Sequence, residues 1–300
     1  MIKVDSVVLK DGVLLIGKKE KQVVFDSELS DSQFQSLKLL IHQKFGISLT
    51  ESKRMLLTNR LRKMVTGLGL ASFDELCKKI RENASSELLS ELVNHVSTNH
   101  TYFFREPAHF EFLMQVAMPE WIDRLLKRRD PDLRVWSAGC SSGEEAWCIA
   151  MSQQELLKKN PHFIRAGVLA TDLSSRVLEV AQRAQYPRDS ARDLPLRWRE
   201  TYLEEHGKDE VRIREFLQKE VVFRRFNLMN HDYPFKRPFH VIFCRNVMIY
   251  FDAETKRELV KKFVNNLEPG GYLIIGHSES LERGEDLQYV CPSVYQRPMR

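Results

Sequence analysis

After Pro131 the chain alternates short apolar runs with helical segments, and this alternation restricts the fold more than any other feature. The runs are Leu133–Ala138, Gly167–Thr171, His240–Cys244 and Tyr272–Gly276, with helices expected from Gly143, Ser174 and Ala253 between them. Near-continuous apolar strands separated by helices predict a mostly parallel sheet covered on both faces. Between Ala184 and Asn227 the rhythm lapses. Val211-Arg-Ile213 and Val221–Phe226 alternate like exposed strands, so an inserted antiparallel piece is expected near 185–226.

The region before this pattern reads differently. Phe34, Leu37, Leu40 and Ile41 recur at helical spacing, as do Leu57, Leu61, Met64 and Val65, and then Leu88, Leu89, Leu92 and Val96. Ser30 or Asp31, Thr50 and Ser72 are candidate caps, and Gly46 and Gly67–Gly69 are breaks. A small helical domain over residues 30–96 follows, with the α/β domain over 97–300. Residues 1–29 form an extension whose runs Val7–Leu9 and Val13–Ile16, split by Asp11-Gly12, suit either a hairpin or a frayed segment.

Composition excludes several classes. No apolar run is long enough to span a bilayer, and Val13–Ile16 is too short for a signal-peptide core. The five cysteines form no C-x-x-C pair, which points to a cytoplasmic protein and away from structural zinc. A net charge of +5 permits an acidic partner without demanding nucleic acid.

The first strand of the α/β region runs into Gly139-Cys-Ser-Ser-Gly143, and the helix after it opens with Glu144-Glu145. A glycine turn at this point lets a ligand approach the backbone. Asp172, at the tip of the next strand, suits the hydroxyls of a ribose. The turn lacks the middle glycine of the dinucleotide fingerprint, and Asp172 lies beyond the usual ~20-residue spacing. Carboxylates at the helix N-terminus would repel a pyrophosphate and favour a cationic ligand such as S-adenosylmethionine, with its sulfonium and ammonium groups. An ordinary strand-to-helix turn, with the glutamates complementing the helix dipole, explains the same residues.

Four blocks bring a resemblance into view: Ser97-Thr-Asn-His-Thr-Tyr-Phe-Phe-Arg-Glu106, Arg134-Val-Trp-Ser-Ala-Gly-Cys-Ser-Ser-Gly-Glu-Glu145, Ile242-Phe-Cys-Arg-Asn-Val-Met-Ile-Tyr-Phe-Asp252, and Leu267-Glu-Pro-Gly-Gly-Tyr-Leu followed by Gly-His-Ser-Glu279. The chain resembles the chemotaxis receptor protein-glutamate methyltransferases (the CheR family) from about Ser30 to Tyr295. The resemblance implies an α/β, Rossmann-like S-adenosylmethionine-dependent methyltransferase domain, a small N-terminal helical domain and an inserted antiparallel β-subdomain. It implies methyl transfer from S-adenosylmethionine, without a metal, to glutamate side chains on the cytoplasmic helices of methyl-accepting chemotaxis receptors. No nucleic acid partner and no membrane insertion are implied.

Residue by residue, the resemblance places Asn99, Thr101, Arg105, Gly139 and Glu145 around the methyl donor. Asp172 is then the ribose ligand, Asn227 and Leu228 flank the adenine, and Arg245 and Asn246 open the block ending at Tyr250, beside the transferred methyl. Arg105 and Tyr250 are the catalytic candidates. Two departures stand out. Ala146-Trp147 replaces the Pro-aromatic pair of many members. Glu204–Glu210 holds only Gly207 where relatives that grip a receptor peptide carry Gly-x-Gly, which leaves peptide tethering open.

Chemistry narrows the roles. A glutamate near neutral pH is already an anion, with a pKa of about 4.3, and needs no general base. It needs desolvation, an in-line approach and a cation to replace its water. Arg105, after Tyr102-Phe103-Phe104, suits that task through its planar fork, although it could equally bind the donor's own carboxylate. Tyr250 could orient the substrate or simply be a half-buried aromatic. His95, His100 and His240 are expected to be structural or solvated. Lys53, Arg60 and Lys63 share one quadrant of the second helix and are candidates for docking glutamate-rich receptor helices, a solvated charged face being the alternative. A nucleic-acid methyltransferase would favour an Asn/Asp-Pro-Pro-aromatic motif where this chain has Cys244-Arg-Asn-Val. A non-catalytic S-adenosylmethionine-binding signalling scaffold is a further alternative.

Overall fold

The computed structural model describes residues 8–10, 13–15, 28–82, 85–97, 99–158, 165–282, 284 and 286–299. Strands β1 (Val8–Lys10) and β2 (Val13–Leu15) pair antiparallel, the hairpin alternative for the extension; the remainder of 1–27 lies outside the described residues.

Four helices build the N-terminal domain: α1 (Asp31–Phe45), α2 (Arg54–Gly67), α3 (Phe73–Glu82) and α4 (Ser86–Val96). Ser30 caps α1 in a reciprocal box with Gln33, and the Ser72 hydroxyl accepts from the Glu75 N–H at the start of α3. Thr50 makes no side-chain cap. The periodic residues Phe34, Leu37, Ile41, Leu57, Leu61, Leu88 and Leu92 converge on one apolar core, because 3.6-residue spacing puts them on inward faces.

The second domain starts with α5 (Pro107–Phe112) and α6 (Met118–Arg128), joined by one π-helical segment at Leu113–Ala117. Then come β3 (Asp132–Ala138), α7 (Glu144–Leu157), β4 (Arg165–Asp172) and α8 (Ser175–Arg183). The insert holds β5 (Gln185–Pro187), α9 (Leu196–Tyr202), β6 (Leu203–His206) and β7 (Glu210–Ile213), and the short α10 (Glu215–Gln218) leads out of it. Last are β8 (Val221–Arg225), β9 (Phe239–Cys244), α11 (Ala253–Asn265), β10 (Leu267–Ile275), β11 (Gln288–Cys291) and β12 (Val294–Gln296).

Seven strands form one sheet in the order β11-β12-β10-β9-β3-β4-β8, parallel from β10 to β8 and closed by an antiparallel hairpin. Val135, Val241 and Phe243 pack on one face, and Trp136, Ile242 and Leu273 on the other. This two-sided burial explains the near-continuous apolar runs. The antiparallel insert is smaller than expected. Only β5, β7 and β6 form it, whereas Val221–Arg225 pairs parallel with β4 at the edge of the main sheet. An edge strand with one covered face alternates just as an exposed hairpin does, so the pattern did not separate the two.

From β3 the chain builds outward through β4 to β8, then returns to add β9 on the other side of β3. The reversal opens a crevice beyond the carboxyl ends of the parallel strands, where ligands bind in such sheets.

Candidate active site

That crevice is a cleft open to solvent. Asn99, Thr101, Arg105, Gly139, Glu145, Asp172, Asn227, Leu228, Arg245, Asn246 and Tyr250 all line it, from five separate chain segments. The helical domain supplies a wall that sequence patterning did not reveal, made of Phe45, Ile47 and Val96.

The turn after β3 is shaped by close contacts. Gly139 has φ +87°, and a Cβ there would lie 2.4 Å from Val247 Cγ2. Its N–H donates to the Thr171 carbonyl (2.8 Å), tying the turn to β4. Asp172 Oδ2 accepts from the Ser141 N–H and Oδ1 from the Ser174 N–H, both at 2.9 Å. Burial pushes the Asp172 carboxyl up, and these N–H groups pull it back. A carboxylate offers about four lone-pair sites, so these backbone bonds leave acceptor capacity for a diol.

The acidic pair divides its labour. Glu144 turns from the cleft to the Ser142 hydroxyl, at 2.7 and 3.0 Å, and only Glu145 lines the cavity. Glu145 accepts from the Ser137 hydroxyl at 2.7 Å and pairs with Arg245 at 3.1 Å. Burial raises its pKa, and Arg245 opposes that rise. Glu145 and Asp172 both present carboxylates to the cleft, so this end suits an ammonium better than a phosphate.

Arg245 is a buried strut, its side chain only 2% exposed. It bridges Glu145 and Glu106, each at 3.1 Å, donates to the Arg105 carbonyl and lies over the Phe110 ring. Arg105 itself is more open. It donates to the His100 carbonyl at 2.9 Å and stacks on Tyr102 at 5.7 Å. Glu106, His109 and His277 bring ligand-type atoms within 4.8 Å of one another. Arg245 already holds Glu106 Oε2, and its charge together with burial drives the His109 pKa down to about 3, so the group reads as an ion-pair network beside a neutral histidine.

Of the other histidines, His95 pairs with Glu91 at 3.0 Å, and buried His240 accepts from the Arg134 N–H at 2.9 Å. His100 lines the cleft.

The helical domain is bolted to the cleft. Asn227 Nδ2 donates to the Lys44 carbonyl at 2.8 Å, His42 meets Asp252 at 2.6 Å, and the Ser48 N–H donates to the Tyr250 carbonyl at 2.7 Å. The Ser174 hydroxyl donates to Asn94 of α4 at 2.7 Å. The basic residues of α2 have different fates. Lys53 Nζ sits over the Tyr250 ring at 5.6 Å, Arg60 caps the end of α4 through the Val96 carbonyl at 2.6 Å, and Lys63 is exposed. Arg60 is therefore committed within the domain, because the open end of a helix attracts a nearby guanidinium.

Comparison with known proteins matches the same architecture. The family model for the CheR methyltransferase S-adenosylmethionine-binding domain matches residues 99–296, and the CheR all-alpha domain matches residues 32–97. A chemotaxis protein methyltransferase of Borreliella burgdorferi is 38% identical over 269 residues, covering 90% of this chain and 95% of that protein. One from Escherichia coli is 37% identical over 260 residues, covering 86% and 87% respectively.

Proposed function

This chain belongs to the CheR methyltransferase family, and from that premise we propose that it methylates glutamate side chains on the cytoplasmic helices of chemoreceptors. It is an S-adenosylmethionine-dependent methyltransferase of the chemotaxis type. The donor supplies an electrophilic methyl group on a sulfonium. The observation that carries the finer reading is that the acids Glu145 and Asp172 and the cation Arg105 line one cleft.

In this reading Asp172 takes the ribose hydroxyls and Glu145, steadied by Arg245, takes the donor's ammonium. Asn227 and Leu228 bound the adenine, while Asn99, Thr101, Gly139 and Asn246 complete the walls. The substrate carboxylate arrives as the anion, so no side chain removes a proton. Arg105 replaces part of the lost hydration with N–H donors beyond the one held by His100. Tyr250 lines the same cleft, its ring held by Lys53 and its backbone by Ser48. Lys53 and Lys63 favour acidic helices and steer their approach.

The test is transfer of labelled methyl from S-adenosylmethionine to receptor-containing membranes. Label released as methanol by mild alkali is expected, because a methyl ester hydrolyses there. Alkali-stable label, or label on nucleic acid, would reject glutamate esterification.

A further inference from the structure

Tyr250 and Asn246 sit on the tight turn that leads from β9 to α11, beside the end of β10, and the turn has an unusual tether. Glu279 Oε2 accepts from the Asn246 N–H at 2.9 Å and from the Gly276 N–H at 2.7 Å, while Oε1 accepts from the Ile249 N–H at 3.1 Å. One carboxylate thus joins the first residue past β10 to both ends of the turn. Glu279 is not among the residues lining the cleft.

The backbone needs such a tether. Asn246 has φ +59°, a left-handed conformation that an asparagine tolerates at some cost. The turn is also pressed against its neighbour. A Cβ on Gly276 would lie 2.5 Å from Asn246 Nδ2 and 2.9 Å from its backbone nitrogen. The one-turn helix Met248–Tyr250 has no side-chain cap at its own start. Charge-assisted bonds to backbone N–H groups are stronger than neutral ones, so a single carboxylate can hold this geometry.

We propose that Glu279 is a positioning residue that sets Tyr250 against the reacting carboxylate, acting through the backbone and not through contact with substrate. The inference rests on the glutamate-methylation reading. Arg245 is anchored separately by Glu106 and Glu145. Loosening the turn therefore frees Asn246 and Ile249 and lets the Tyr250 ring drift about its Ser48-held carbonyl, while the donor's ammonium end stays fixed. A misplacement of about 1 Å is enough to lower turnover ~100-fold.

The experiment uses the full chain carrying Glu279→Gln, which keeps the size and points one N–H₂ group at backbone donors. S-adenosylhomocysteine affinity is expected within ~3-fold of the parent while kcat falls ~10- to 100-fold. Amide exchange should accelerate at Asn246 and Ile249 and stay unchanged in β9. If Glu279→Gln does not fold, Glu279→Asp carries the same expectations, since its shorter arm keeps the charge but cannot span both ends of the turn. Unchanged exchange, or loss of S-adenosylhomocysteine affinity in step with kcat, overturns the proposal. Exchange and product binding need no protein substrate. Faster exchange at the turn in a chain whose parent fails to label receptors would sink the function and leave the tether standing.

Discussion

Replacing Arg245 by methionine removes the buried cation between two carboxylates whose side chains are only 13% and 12% exposed. Glu145 and Glu106 each lose a 3.1 Å ion pair, and the Arg105 carbonyl loses a donor. Methionine fills much of the volume beside Phe110 but supplies no charge. Breaking one partner of a buried pair costs about 3–5 kcal/mol, because the remaining charge is left uncompensated. At about 2–4 °C per kcal/mol for a domain of this size, the melting temperature should fall by about 6–20 °C at pH 7.5.

The pH dependence sharpens the test. Burial already raises the Glu145 pKa against the pull of Arg245. Without that pull, its folded pKa rises further above the unfolded value. The penalty is then complete above the raised folded pKa and shrinks as pH falls through that value toward the unfolded one. Calorimetric melting of parent and variant at pH 7.5 and 5.5 should show the gap narrowing in acid. A fall of less than about 2 °C at pH 7.5, or a gap that widens in acid, would refute the strut argument.

Three further outcomes follow from the same geometry. Arg105→Ala, at a partly open side chain, should change stability by less than ~1 kcal/mol yet lower methyl transfer ~100-fold; near-parent kinetics would remove it from the reaction. Gly139→Ala forces a side chain into a left-handed turn against Val247, so it should cost about 1–3 kcal/mol and weaken S-adenosylhomocysteine binding, read by melting and calorimetric titration. His109 and His240 are buried with pKa values held at about 3. Their folded values lie below the ordinary 6.5, so the unfolded chain takes up protons first and stability is lost as pH falls below 6.5. About 2 kcal/mol per histidine should be lost by pH 5, and a flat melting temperature between pH 7 and 5 would contradict it.

Periodicity alone determined the two-part organisation of this chain. A helical repeat in Phe34–Val96 and a strand–helix alternation after Pro131 are local consequences of which faces must be buried. The Gly139–Gly143 turn and Asp172 were equally legible, because a backbone close approach and a strand-tip carboxylate leave signs in the residues themselves. Only tertiary structure decided the rest. Val221–Arg225 belongs to the main sheet because its partner β4 lies about fifty residues earlier. Phe45 and Ile47 reach the cleft because one domain docks on the other through Asn227 and Asp252. Arg60 caps a helix, and Arg245 and Glu279 brace the site from behind, through partners far away in sequence. Pairings across such distances depend on how whole elements pack, and neither spacing nor composition encodes that packing locally.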